Sequence, residues 1–283
     1  MIVALVVFSA FLHAGWNALL RLEPDKDRGL VAAISVAAMF ACVIAGIRWG
    51  LGDDPFESLA SVGYTAIAGV FEAVYFATLA IAMDRGKLGA VYTISRGGAV
   101  LVVWPMSILL FDEVVTGTSS SGSAIVLLGL VLAGVGAHQS KRGEGRSSGV
   151  GWASACAASI AGYHLSYKAA LSSGGSASAV FGTSLAFAAI LRILWLGRSG
   201  RVELAGVFRR RFPRVLLMGL TCGGSFLILM EALARGGSGF VLTLRNTSVL
   251  FAAVLAWGIG ERPVRTEFLG AALVAIGAVV MSL

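Results

Sequence analysis

Apolar stretches of about 20 residues alternate with short polar connections along the whole chain. A helix of that length crosses the ~30 Å hydrocarbon core of a bilayer, so each stretch predicts one membrane-spanning helix. The number of predicted spans is even, so we expect both ends of the chain on the same side of the membrane. The predicted helices cover residues 2–20, 30–49, 62–83, 88–111, 122–138, 150–171, 177–197, 213–234, 238–260 and 267–283.

Composition excludes a water-soluble fold. Hydrophobic residues make up 57% of the chain and charged residues 13%, about half of the ~25% typical of soluble domains. The formal charge of +7 is spread over connections between apolar stretches, which favours retention of basic loops in the cytoplasm and argues against a nucleic-acid partner. Cys42, Cys156 and Cys222 lie in apolar stretches without metal or redox spacing, so we predict packing roles and neither a metal site nor a cofactor.

The first apolar stretch, MIVALVVFSAFLHA, has the small and apolar residues of a secretory signal peptide. It lacks the basic segment with which such a peptide begins. It also continues without a break to Arg21. We therefore predict that it is the first membrane helix.

The chain divides into two similar halves, residues 1–140 and 150–283, joined by a polar linker at 141–149. A shift of about 147–150 residues aligns them, as expected of the internal repeats of transporters. It pairs Gly15, Trp16 and Arg21 with Gly162, Tyr163 and Lys168, and Glu113 with Glu261. Each half holds five predicted helices, an odd number, so the second half would enter the membrane from the opposite side. The predicted fold class is an all-α polytopic membrane protein with ten transmembrane helices in two inverted five-helix repeats.

Basic residues fall almost entirely on one side of the predicted helices. The opposite side carries only Arg48, Lys168 and Arg235. Because basic loops translocate poorly, the richer side is predicted to be cytoplasmic and both termini extracytoplasmic in the inner (plasma) membrane. The basic residues on that side are Arg21, Lys26, Arg28, Arg85, Lys87, Lys141, Arg142, Arg146, Arg198, Arg201, Arg209, Arg210, Arg211, Arg214, Arg262 and Arg265.

One of these connections, RVELAGVFRRRFPR, admits two interpretations. It could be a solvated loop. Alternatively, Val202, Ala205, Phe208 and Phe212 recur at helical spacing beside the arginines, which is typical of a short helix lying in the membrane interface.

Ionisable side chains within the apolar stretches mark a candidate site, because a charge at bilayer depth costs at least ~2.5–3.5 kcal/mol. The clearest are Glu72, Arg96 and Arg245. Two arginines at comparable places in the two halves favour binding of a carboxylate or phosphate. Alternatively, each arginine pairs with Glu72 or Glu231. Glu72 could carry a coupling proton or serve as a fixed counter-ion.

Aromatic and polar residues on the same helices extend this candidate site. His13 and Asn17 share one helical face, as do Tyr92 and Arg96. Histidine titrates near neutrality, so His13 and His164 could transfer protons or only bond to a neighbouring backbone. The predicted substrate-binding residues are His13, Trp16, Asn17, Glu72, Tyr75, Tyr92, Arg96, Tyr163, His164, Arg245 and Asn246.

The segment HAGWNALLR at 13–21 and the helix ends FDE at 111–113 and GIGE at 258–261, each followed by glycine-spaced apolar helices, resemble the drug/metabolite transporter superfamily in its EamA-like branch. The resemblance covers essentially the whole chain. It implies a basket in which helices 1, 3, 4, 6, 8 and 9 surround a central cavity, with helices 5 and 10 peripheral. It also implies export of amino acids or other metabolites, or uptake of nutrients.

Three functions follow as hypotheses. The first is a secondary active transporter that exports a small polar zwitterion or anion by alternating access, as a monomer or homodimer. The second is efflux of drugs or lipophilic cations, which would use Glu72 and the aromatic residues. The third is an intramembrane serine hydrolase, suggested by GGSG at 236–239, which resembles a pattern of some membrane serine proteases. It is disfavoured because the resemblance implies a catalytic histidine on a helix after the serine, whereas every histidine of this chain precedes Ser238.

The predicted orientation is testable with a reporter at the C-terminus. A reporter that is active only outside the cytoplasm should be active when fused after Leu283, and a reporter that is active only in the cytoplasm should be inactive there. The reason is that the basic loops, which are predicted to be cytoplasmic, lie on the side of the membrane opposite to the C-terminus. A C-terminal reporter active in the cytoplasm would contradict the orientation.

Overall fold

The computed structural model describes residues 2–111, 116–139, 149–261 and 264–281, and within them every named element is an α-helix. The predicted all-helical class is therefore confirmed. Over these described ranges, eleven helices follow one another: α1 (Ile2–Arg21), α2 (Lys26–Gly50), α3 (Leu59–Arg85), α4 (Leu88–Phe111), α5 (Gly117–Gln139), α6 (Val150–Ser172), α7 (Ala177–Trp195), α8 (Gly197–Arg235), α9 (Ser238–Arg245), α10 (Ser248–Gly258) and α11 (Arg265–Met281).

Six of these helices are long and apolar enough to cross a bilayer, namely α1, α2, α3, α4, α7 and α8. Shorter apolar helical segments run over Ser120–Ala133 and Ser248–Gly258. The chain is thus a multi-pass helical protein. The linker at 141–149 lies outside the described residues except for Gly149, and so do Glu113 and Arg262.

Polar caps extend the helices beyond their apolar stretches. α2 begins four residues before the predicted start, because the Asp25 side chain accepts a hydrogen bond from the Arg28 amide at 3.0 Å. α3 begins after Ser58, whose hydroxyl accepts from the Ser61 amide at 3.1 Å. Such capping satisfies amide groups that lack partners in a first helical turn.

The prediction of one helix over 238–260 is wrong, because the chain breaks at Asn246 and Thr247. The Thr247 amide donates to the Leu244 carbonyl, three residues back, at 3.2 Å, and the Thr247 hydroxyl donates to the same carbonyl at 2.9 Å. Threonine favours such local bonds over the regular helical ladder. The break separates α9 from α10 directly after Arg245.

The basic stretch before the predicted helix at 213–234 is helical, so the loop interpretation is wrong. It forms the first part of α8, a helix of 39 residues. Arg211 interrupts the helix with φ −130° and ψ 23°, two residues before Pro213. Proline removes a backbone donor and clashes with the preceding turn, which accounts for the kink.

Glycines allow α5 and α11 to pack backbone against backbone. A Cβ atom on Gly129 would lie 2.7 Å from the Gly270 carbonyl oxygen and 2.8 Å from the Val274 amide nitrogen. A Cβ on Gly270 would meet the Gly129 oxygen at 2.6 Å. Small residues at such crossings give the close approach on which helix association in membranes depends.

Replacing Gly129 with valine should lower stability by about 1–3 kcal/mol, because the backbone of α11 cannot yield to the added carbons. The control is Gly46→Val in α2, where an added Cβ meets nothing within 4 Å. Thermal unfolding of both variants in detergent measures the difference. Equal melting temperatures would contradict the proposed packing constraint.

Candidate functional site

His13 of α1 lies fully buried at the centre of the candidate site. Its Nδ1 atom faces the Trp16 Nε1 donor at 3.1 Å and the Arg245 Nη2 donor at 2.8 Å. Its Nε2 atom contacts the guanidinium of Arg96. One imidazole thus joins two arginines that come from different halves of the chain.

The two arginines are themselves buried, with 2% of Arg96 and 0% of Arg245 exposed. Arg245 also donates to the Ser9 hydroxyl at 2.7 Å and to the Ser225 carbonyl at 3.2 Å. Aromatic rings cover both guanidinium groups, since Arg96 lies 5.7 Å from the Tyr92 centroid and Arg245 lies 4.6 Å from the Phe226 centroid. We call this set of residues the arginine cluster: Ser9, His13, Tyr92, Arg96, Phe226 and Arg245.

Neither arginine forms an ion pair with a carboxylate among the described residues. Glu72 accepts a hydrogen bond from Tyr167, and Glu231 pairs with Arg48 and Arg235. The alternative that Arg96 and Arg245 pair with Glu72 or Glu231 is therefore wrong. The predicted counter-ion role of Glu72 for an arginine fails with it.

Hydrogen-bond donors exceed acceptors at the imidazole. A neutral imidazole offers one accepting nitrogen, yet three donors approach its two nitrogens. Arginine and the tryptophan indole cannot accept hydrogen bonds in return. Among the described residues, the arginine cluster is therefore short of acceptors and of negative charge.

Glu72 of α3 forms a second polar group, which we call the Glu72 group, with Tyr167 of α6 and Ser184 of α7. The Glu72 side chain is fully buried, and its Oε1 atom accepts a hydrogen bond from the Tyr167 hydroxyl. Ser184 donates to the Tyr167 hydroxyl oxygen at 3.4 Å, a long contact. The Glu72 Oε2 atom has no hydrogen-bond partner in the described part of the chain. Among the described residues, the hydrogen-bond partner of this carboxyl is thus a hydroxyl and not a basic side chain.

Aromatic rings join the Glu72 group to the arginine cluster. Phe226 lies 5.2 Å from the His13 ring and 6.2 Å from the Tyr163 ring. Tyr163 lies 5.4 Å from Tyr167 and 5.5 Å from Tyr75. We call Phe226, Tyr163 and Tyr167 the aromatic bridge. A cationic pole and an acidic pole thus occupy one buried interior.

The remaining predicted residues also lie in this interior. Asn17 donates to the His13 carbonyl within α1 at 2.8 Å. His164 lies beside Tyr163, with ring centroids 6.4 Å apart. The polar side-chain atoms of His164 and Asn246 are buried and hydrogen bond to no described residue. These two side chains offer donors and acceptors that a bound molecule could use.

Sequence reasoning omitted five residues of the site. Ser9 lies one turn before His13 on the same face of α1, so helical spacing could have identified it. Tyr167 shares a helical face with Tyr163. No local signal distinguishes Ser184, Ser225 or Phe226, which become site residues only through the packing of α7 and α8.

The helix-end residue Glu261 links the ends of other helices and contacts no residue of the arginine cluster through a hydrogen bond among the described residues. Its carboxylate accepts from Arg21 Nε and from the Leu88 amide at 2.8 Å. Arg21 also donates to the Met83 carbonyl. These bonds join the ends of α1, α3 and α4 to the connection after α10.

The chain is similar to a known family in part of its sequence and to a solved structure in its fold. Residues 147–283 match the model of the EamA-like transporter family. A solved structure, titled only "Crystal structure of protein", matches 99% of this chain and 96% of its own, with a TM-score of 0.68 and 20% identity. That likeness concerns the fold alone. No curated protein matches the sequence significantly.

Proposed function

Residues 147–283 match the EamA-like transporter family, whose members are membrane transporters of the drug/metabolite superfamily, and on this premise we propose that the chain carries a small anion or zwitterion. The same match confirms the predicted resemblance. The observation that carries the substrate proposal is the pair of buried arginines that meet at His13 without a carboxylate.

The cationic pole would receive the negative group of the substrate. A guanidinium presents several N–H donors in a planar fork that suits a carboxylate or phosphate. Burial strengthens the attraction, because the low dielectric of the interior screens charges less than water does. An amino acid or related metabolite has the size and charge to use both poles, with its ammonium toward the Glu72 group.

We propose that Glu72 couples transport to protons. A carboxyl that is buried among hydroxyl and aromatic groups can exist as the neutral acid, and contact with water or with a substrate ammonium would favour its ionised form. Release of the proton when the site opens on one side would then link substrate movement to the proton gradient.

Alternating access between two inverted halves is supported by the pattern of helix contacts. In the predicted repeat, α1, α2 and α3 of the first half correspond to α6, α7 and α8 of the second. The contact of α1 with α8 then corresponds to that of α6 with α3, and the contact of α2 with α8 corresponds to that of α7 with α3. The contacts of α2 with α7 and of α5 with α11 each join two corresponding helices of the two halves. A pseudo-symmetric pair of this kind can exchange inward- and outward-open states of similar free energy.

The ends of the repeats support the same correspondence. Arg21 donates to the Met83 carbonyl at the end of α3, and Lys168 donates to the Leu233 carbonyl at 3.3 Å near the end of α8. Each pair is offset by the predicted repeat length.

Because the site residues between these ends are buried, we infer an occluded state, closed to both sides.

The finer proposals concern the setting. We propose residence in the inner membrane with both termini outside the cytoplasm, export as the direction of transport, a monomer or homodimer, and no enzymatic activity. Efflux of lipophilic cations is the alternative favoured by one observation, the buried carboxyl of Glu72 beside aromatic rings. Proteoliposome uptake of amino acids, phosphonates, nucleobases and lipophilic cations distinguishes these substrates.

Replacing either Arg96 or Arg245 with glutamine should weaken binding of an acidic substrate roughly tenfold to hundredfold, the effect of losing a charge-assisted hydrogen bond. Lysine should restore part of the affinity, because it keeps the charge without the planar fork. Substrate titration of the purified protein measures both effects.

The matched control is Arg192→Gln, since Arg192 is also buried but pairs with Asp27 outside the site. It should leave the substrate affinity within a few fold of the wild type. The proposal fails if Arg96 and Arg245 variants bind as the control does, or if the amide of the substrate binds as well as the acid.

Replacing Glu72 with glutamine should abolish the stimulation of uptake by an imposed pH gradient, because the amide cannot release a proton. Counterflow of substrate without a gradient should persist, since glutamine fills the same volume. The control is Glu231→Gln, whose carboxylate forms ion pairs away from the site. Unchanged gradient dependence in Glu72→Gln would exclude coupling at this residue.

A further inference from the structure

The first part of α8, Gly197–Arg210, lies apart from the site, and we call it the basic arm. At 1.5 Å per residue the 39 residues of α8 span about 58 Å, nearly twice the ~30 Å hydrocarbon core. Gly197 adopts a φ of +66°, which favours glycine and lets the chain turn sharply after α7. The kink at Arg211 ends the arm.

The basic arm runs across the end of α2 and not along it. Glu203 pairs with Arg28 at 2.8 Å, whereas Arg211 and Arg214 pair with buried Glu23 at 3.0 and 3.2 Å. About 17 Å of helix rise separates positions 203 and 214. Their partners nevertheless lie close together in sequence, because Glu23 is in the connection before α2 and Arg28 is in the first turn of α2.

Beyond the kink, α8 turns to follow α2 through the bilayer. A Cβ on Gly219 would meet Val36 and the Ala33 carbonyl, and one on Gly223 would meet the Ala37 backbone. Four residues along α8 thus correspond to about four along α2. The basic arm thus crosses α2 near its first turn, whereas the rest of α8 runs along α2. This places the arm at the level where α1 ends and α2 begins, which is the surface of the membrane that these helices span.

One face of the basic arm is already covered by the protein. Leu204 forms a buried apolar cluster with Val31 and Val36 of α2, and Val207 packs against it. The ion pair of Glu203 with Arg28 lies within the arm, and the pairs of Arg211 and Arg214 with Glu23 lie just beyond its end. One face of the arm is therefore packed on the protein, and the opposite face is exposed.

The outward face carries exposed arginines and apolar side chains together. Val202 is 74% exposed and Phe212, just past the kink, 52%. The arginines have no carboxylate within ion-pair distance among the described residues. They are Arg198, Arg201, Arg209 and Arg210, all exposed.

We propose that the basic arm binds anionic phospholipid headgroups at the bilayer surface. Guanidinium groups form paired hydrogen bonds with phosphate, and an anionic leaflet attracts each basic residue near it. The exposed valine and phenylalanine suit the boundary between headgroups and acyl chains. A soluble polyanion would use the charges but not these apolar side chains.

Binding at the basic arm restrains two helices of the candidate site. α8 continues from the arm to Phe226 of the arginine cluster and to Ser225, whose carbonyl accepts from Arg245, and Glu23 follows α1, which carries His13. Anionic lipid therefore stabilises the junction between these helices whatever molecule the site carries.

The test uses the full chain in a neutral detergent, titrated with phosphatidylglycerol or phosphatidylcholine. Native mass spectrometry counts bound lipid, and thermal unfolding follows stability. Phosphatidylglycerol should bind preferentially and raise the melting temperature. The variant R198Q/R201Q/R209Q/R210Q should lose affinity by about fivefold per arginine, whereas the corresponding lysine variant should keep most of it.

R235Q is the matched control, because Arg235 is an exposed arginine at the opposite end of α8. It should bind phosphatidylglycerol as the wild type does. The proposal is overturned if both lipids act equally, if the glutamine variant keeps the preference, or if inorganic phosphate or a short oligonucleotide reproduces the stabilisation. Because no readout uses transport, failure here leaves the proposed carrier function intact.

Discussion

The burial of two guanidinium groups on one imidazole is the constraint on which the site depends. Arg96 and Arg245 reach His13 from separate helices, and the described carboxylates lie elsewhere. Like charges in a poorly screened interior repel, so the arrangement needs cover from aromatic rings and acceptors from backbone and hydroxyl groups. Ser9, Ser225, Tyr92 and Phe226 supply them.

This constraint explains why the interior has two poles. A carboxylate beside the arginines would neutralise them and leave little affinity for an anion. Glu72 instead lies across the aromatic bridge, where the hydroxyl of Tyr167 supports it. In the proposed mechanism, separate poles leave both the cationic and the acidic group available to a zwitterion or to a proton.

The helices of the bundle are held by features of different strength. Glycine contacts between α5 and α11 hold backbone against backbone, whereas the break after Arg245 and the kink at Arg211 interrupt regular helical bonding. An interrupted helix can absorb a change in backbone angle at the interruption while its regular parts keep their packing. Arg245 and Phe226 of the arginine cluster lie on these interrupted segments.

Hydropathy and residue type are sufficient to predict the helical class and the identity of the buried charges, because the bilayer imposes a length on apolar stretches and a cost on each ion within them. They place most helix boundaries within a few residues, and miss the break at Asn246, whose cause is a local competition for one carbonyl. The partners of the buried charges, by contrast, follow from packing between distant segments. His13 lies 83 residues from Arg96 and 232 from Arg245, and Glu72 lies 95 from Tyr167. Hydropathy and spacing describe one helix at a time, whereas the choice between arginine and tyrosine as the neighbour of Glu72 depends on how separate helices pack.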